Sequence, residues 1–171
     1  MSTLDRPYHH GDLRAALLDA ADALLDEGGD GAVSLREAAR RAGVSPTAAY
    51  RHFADKTALL AALAARHFAQ FGQALGGRSF DAMGPAYVRF ALERPGRFRL
   101  MFGPLLRAAQ TDPALQAASA AAFQALRQAA PDEASALRAW AMVHGLAHLL
   151  LDGALPGSND PDAVLARVLP G

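Results

Sequence analysis

The stretch SLREAARRAGVSPTAAYRHFADK, Ser34 to Lys56, reads as two short helices joined by a tight turn. Ser34 is an N-cap with Glu37 three residues on, the spacing of a capping box. Leu35, Ala38, Ala39 and Ala42 supply a small apolar face. Gly43 follows and can adopt the left-handed backbone that ends a helix. Val44 can bury in the angle between the helices. Ser45 is a second N-cap, and Pro46 suits the first helical position because its missing N–H would be orphaned there anyway. The second helix is expected over Thr47 to about Phe53. Asp55 caps a third, with Lys56 in its first turn. Two helices joined by a short Gly-containing turn are a unit that places its second helix in a DNA major groove.

The side chains fit that placement. Arg36, Arg40, Arg41, Arg51 and Lys56 face only Glu37 and Asp55 in this segment, although the whole chain has a formal charge of zero. A cationic patch gathers phosphates and makes affinity salt-dependent. Ser45, Thr47, Tyr50 and His52 can donate to backbone oxygens. Pro46, Thr47 and Ala48 front the second helix, where thymine methyl contact is expected, and Arg36 is a long bidentate donor for guanine. On these residues alone, a three-helix packing unit with a solvated basic face stays open.

The segment GVSPTAAYRHFADKTALLAAL, Gly43 to Leu63, resembles the recognition helix and following helix of the tetracycline-repressor (TetR) family. The resemblance rests on Gly43-Val44-Ser45, Tyr50-Arg51-His52-Phe53, Lys56 and Leu59-Leu60. It extends upstream through Asp12 to Gly29. Downstream, Trp140, His144-Gly145 and Asp152-Gly153 are similar to the family's "WHG" variety, as is the opening Tyr8-His9-His10-Gly11-Asp12-Leu13. The resemblance implies phosphate contacts from Tyr50, His52 and Lys56. It implies base-edge or phosphate contacts from Arg36, Pro46, Thr47 and Ala48. It also implies a homodimer, a small-molecule pocket in the C-terminal part and double-stranded DNA as partner.

Outside the motif, punctuation sets the organisation. Helix one is expected from an Asp12 cap to Glu27, with Leu13, Leu17, Ala20 and Leu24 on one face, ended by Gly28-Gly29-Asp30-Gly31. A fourth helix from Asp55 to about Leu75 carries Leu60, Leu63, His67 and Phe71 on a stripe, and is long enough to serve two domains. Further helices are expected over Phe80–Glu93, Arg97–Phe102, Pro113–Ala129, Asp132–Leu151 and Pro161–Val168. No stretch shows sustained period-two alternation. The expected fold is all-α, with a helix-turn-helix domain over residues 1–56 and a helical sensing and dimerisation domain over 57–171.

Half of the 171 residues are hydrophobic, alanine is abundant and there is no cysteine, so no disulfide framework or thiolate metal site is available. No signal peptide is evident, and the longest apolar run, Ala139 to Leu151, is too short to span a bilayer. A cytoplasmic protein without membrane contact is expected.

The candidate pocket residues are Phe68, Phe71, Tyr87, Phe90, Phe98, Met101, Phe102, Phe123, Trp140 and His144; an ordinary core would use the same aromatics. Arg94, Arg97, Arg99 and Arg107 cluster near the short helix, as a solvated basic surface or as a site for an anion. The helix over 132–151 is apolar nearly all round and should be buried on two faces. Leu137, Ala141, Gly145, His148 and Leu149 are the candidate dimer face. His144, His148 and Asp152 fall at i, i+4 and i+8, a spacing that could hold a divalent cation; a hydrogen-bonded histidine pair is the plainer reading. Neither metal nor cofactor is expected. His9-His10 and Arg6 belong to an N-terminal arm.

No nucleophile elbow, phosphate loop or zinc-protease motif is present, so no enzyme is expected. The expected function is a ligand-responsive transcriptional regulator, acting as a repressor on a palindromic operator. The rival is a helical interaction module that has lost DNA affinity. It draws on the small Ala48-Ala49 surface and on the acidic excess of the first sixty residues.

Overall fold

The computed structural model describes residues 13–104, 112–155 and 160–169. Tyr8 to Asp12, Arg6 and Arg107, all named above, lie outside the described residues. Among the described residues there are nine helices and no strand.

α1 (Leu13–Ala32) turns at Gly28 and Gly29, where Gly29 takes φ +68°, so its regular part ends where the glycine run begins. Leu13, Leu17, Ala20 and Leu24 are all buried. α2 (Leu35–Arg41) begins at Ser34, whose hydroxyl accepts from Glu37 N at 3.1 Å. It ends on Gly43 at φ +71°, with Val44 N donating to Ala39 O at 2.9 Å and Gly43 N to Arg40 O at 3.2 Å. Those two bonds are the paired C-terminal closure that a left-handed glycine permits.

α3 (Pro46–Tyr50) is shorter than expected. Arg51 N and His52 N donate three residues back, to Ala48 O and Ala49 O, which tightens the last turn. Phe53, 3% exposed, then drives the chain into the core instead of continuing the helix.

α4 (Lys56–Leu75) is capped by Asp55, which accepts from Ala58 N at 2.8 Å. It packs against α1, α5 (Phe80–Glu93), α6 (Pro95–Phe102) and, most extensively, α7 (Pro113–Ala129). Gly72 of α4 faces Ala122 of α7, where a Cβ would meet the Ala122 Cα at an ordinary contact distance of 3.6 Å. α8 (Glu133–Leu151) packs on α5, and α9 (Pro161–Val168) closes the described chain. No helix of the described residues is long and apolar enough to cross a membrane.

Among the described residues α8 buries one face, through Ala136, Val143, Leu146 and Ala147. Leu137 and Leu149 remain 54% and 43% exposed. Among the described residues the Leu137 and Leu149 face is left open.

Candidate nucleic-acid interface and apolar cavity

The α2–α3 pair presents one outward surface. Ala49 is fully buried, and that orientation turns Pro46, Thr47 and Tyr50 to solvent. Arg36, Ser45, Arg51 and His52 are exposed, and Ala48 and Lys56 are half-buried. The nine residues singled out in the sequence therefore lie on or at the edge of an accessible face.

The charge on that face is smaller than a count of arginines suggests. Arg40 grips Glu37 through two bonds of 2.9 and 2.6 Å. Arg41 grips Glu27 at 2.6 and 2.5 Å and also reaches Glu37 at 3.4 Å. The Arg40 hydrogen bonds, joined by Arg41, hold the Glu37 carboxyl down at about 2. Arg36 and Arg51 have no ion pair among the described residues. Lys56 donates through Nζ to Asp30 O at 2.7 Å, tying the start of α4 to the end of α1. An ammonium has three donors, so that bond leaves two for a phosphate.

On the other side of α4 lies an apolar cavity of about 680 Å³. Phe68, Phe71, Tyr87, Met101, Phe102, Phe123 and Trp140 line it. Phe90, Phe98 and His144 do not, which corrects their placement. Phe98 is fully buried beneath Tyr87 and Phe102, at ring centroid distances of 5.9 and 4.9 Å. Phe90 packs behind Phe71 at 5.1 Å. His144 sits behind Tyr87, with its Nδ1 2.8 Å from the phenol oxygen. Much of the remaining wall comes from α7 and α9, through Leu115, Ser119, Leu126, Val168 and Leu169. Sequence reasoning missed these: Leu115, Ser119 and Leu126 share a helical face with Phe123, and that spacing was the available signal.

The candidate cation site does not assemble. Asp152 pairs with Arg99 at 2.6 Å and His144 turns to Tyr87, while His148 stacks between His144 and Phe98. No group of three such ligands converges among the described residues. The arginine cluster is likewise spent on partners. Arg94 bonds Asp26, Arg97 bonds Asp22 at 2.6 Å, and Arg99 takes Asp152. Arg94 and Arg99 remain 52% and 54% exposed in these pairs, whereas Arg97 is only 16% exposed.

The Arg97–Asp22 contact belongs to a buried network that the sequence reading missed. His67 is fully buried, with Nε2 3.1 Å from Asp22 Oδ1 and Nδ1 3.2 Å from Gln70 Oε1. α1, α4 and α6 thus meet on one carboxylate. Burial pushes the Asp22 carboxyl up, but the close approach of His67 and the charges of Arg97 and Arg66 outweigh it, and the group lies below its ordinary value. The available signal was an aspartate inside the otherwise apolar run Ala20 to Leu25.

On α8, Leu137, Ala141, Gly145 and Leu149 form an exposed stripe at intervals of four, and a Cβ on Gly145 would meet nothing within 4 Å. His148, expected beside them, is half-buried against His144 at 4.7 Å.

A capped helix pair with an outward second helix, carried on a helical body, defines a helix-turn-helix protein. Residues 17–63 match the family of bacterial regulatory proteins of the tetR type, and residues 80–170 match the tetracyclin repressor-like C-terminal domain. The chain belongs to the TetR family of bacterial regulatory proteins. Over 110 residues it is 36% identical to the HTH-type transcriptional repressor KstR of Rhodococcus jostii, covering 64% of this chain and 47% of that protein. The KstR of Mycolicibacterium smegmatis is also 36% identical over 110 residues, which is 50% of its length. The match thus spans about half the length of these curated relatives. A protein of unknown function from Rhodococcus sp. RHA1 superposes with a TM-score of 0.78 at 35% identity, covering 96% of this chain and 95% of that one.

Proposed function

We propose that this chain is a ligand-responsive transcriptional repressor that binds a palindromic operator as a homodimer. The observation that carries the reading is the position of α4. It touches the reading head through Lys56 and His67 and supplies Phe68 and Phe71 to the cavity wall. A ligand that fits the cavity better in one arrangement of α4 than in another would shift the head, and only that difference in affinity can drive the change.

On this reading residues 1–56 form the DNA-binding domain and 57–171 the sensing and dimerisation domain. Arg36 and Arg51 supply unpaired charge. Tyr50, His52 and Lys56 contact phosphates, and Pro46, Thr47 and Ala48 face base edges. The exposed stripe of α8 meets its copy in the partner, and the twofold axis matches two half-sites a helical turn apart or a multiple of that. That the curated relatives are named repressors supports repression over activation.

Selection from a random duplex pool tests the proposal, followed by titration of the winning sequence at two salt concentrations. An enriched palindrome bound with a steep salt slope is expected. Weak binding equal for all sequences would leave a helical interaction module in its place.

A further inference from the structure

The cavity's polar inventory selects a ligand class, an inference that rests on the effector reading above. Among the described residues that line the cavity there is no Lys, Arg or His; the ionisable ones are Asp81 and Tyr87. Among the described residues an anion would enter an apolar space without a counter-charge, so desolvation opposes it, and the exposed Asp81 carboxylate at the rim adds a weaker repulsion.

Tyr87 is a fixed polar point in that wall. Its ring is 4% exposed and wedged edge-on against Phe71 at 5.0 Å. Its oxygen accepts from Trp140 Nε1 at 3.3 Å and lies 2.8 Å from His144 Nδ1. Burial, with the neighbouring His148 second, pushes His144 below its usual value, and burial pushes the phenol well up, so both are neutral near pH 7.

A phenol has one hydrogen and two lone pairs. If His144 carries its proton on Nδ1, His144 and Trp140 fill both lone pairs and the phenol hydrogen is left to donate. If His144 carries it on Nε2, the phenol donates to Nδ1 and one lone pair is left to accept. Either way one hydrogen-bonding position remains, and the tautomer sets its sense.

We infer that the cavity takes a neutral, mostly apolar molecule bearing one carbonyl or hydroxyl oxygen, which hydrogen-bonds to the Tyr87 hydroxyl. The two tautomers of His144 let one site accept either oxygen.

Trp140 is the chain's sole tryptophan and lies in the cavity wall, so its fluorescence reports occupancy directly. The probes are 1-decanol, 2-decanone, decanoate, decylammonium and decane, each titrated below its solubility limit. Decanol and decanone are expected to bind about tenfold or more tighter than decanoate, because a buried unpaired charge is strongly disfavoured. Tyr87→Phe should weaken decanol and decanone about fivefold, the worth of one neutral hydrogen bond, and leave decane unchanged. Asp81→Asn should improve decanoate relative to decanol. Decanoate binding as tightly as decanol, decylammonium binding more tightly than either, or a Tyr87→Phe variant indifferent to oxygen would overturn the ligand class while the cavity stands as a binding site. No response to any probe, with the fold intact by circular dichroism, would overturn the effector cavity itself.

Discussion

Replacing Arg97 by Met tests whether the three-helix junction is held by buried charge. Asp22 is 7% exposed and His67 not at all, and the Arg97 side chain is only 16% exposed. Met matches the aliphatic length of Arg but abandons Asp22 Oδ2. Removing one partner of a buried ion pair costs about 3–5 kcal/mol, because the other charge is left without compensation. His67 remains 3.1 Å from Asp22 Oδ1, which places the expected loss at the low end, about 3 kcal/mol. For a chain of this size, that is a fall in Tm of roughly 6–12 °C. Urea unfolding followed by helical circular dichroism, at fixed protein concentration, measures it. The double variant Asp22→Leu with Arg97→Met should recover at least half of the loss, since neither the carboxylate nor the guanidinium is then left without the other. Acid gives a second readout. The Asp22 carboxyl lies below its unfolded value of about 3.9, so its contribution is complete above that pH and is lost as pH falls through the lower folded value. The unfolding curve of Asp22→Leu should therefore be flatter than that of the parent below about pH 4. A single Arg97→Met variant within about 0.5 kcal/mol of the parent would show that water solvates the junction, and would refute the argument.

Two further outcomes are expected. Lys56→Ala should weaken DNA binding on all sequences alike and reduce the salt slope by about 0.9, with roughly 1 kcal/mol of stability lost along with the bond to Asp30 O; a sequence-selective loss would contradict the phosphate role. Leu149→Glu should convert a dimer to a folded monomer in sedimentation, because the side chain is 43% exposed within its own chain and sits in the apolar stripe of α8; an unchanged sedimentation coefficient would remove α8 from the interface.

The reading head was legible in the chain because its determinants are local. Ser34 with Glu37, Gly43 at the turn, Ser45-Pro46 and Asp55 each act through backbone bonds spanning three to five residues, and such bonds leave a direct trace in residue order. The alternation of apolar runs with Gly and Pro likewise gave the helices of the described residues their near boundaries. Pairing across the fold left no such trace. Arg41 finds Glu27, Arg97 finds Asp22 and Arg99 finds Asp152 over separations of 14, 75 and 53 residues, so arginines that looked free in the chain are neutralised in the fold. The cavity wall was hidden for the same reason. Phe98 and Phe102 lie one helical turn apart on α6, yet one is core and the other wall, and only the packing of α4, α5 and α8 around them decides which. Hydrogen bonds along a helix are set by the next few residues, whereas burial and ion pairing are set by whichever helix arrives opposite.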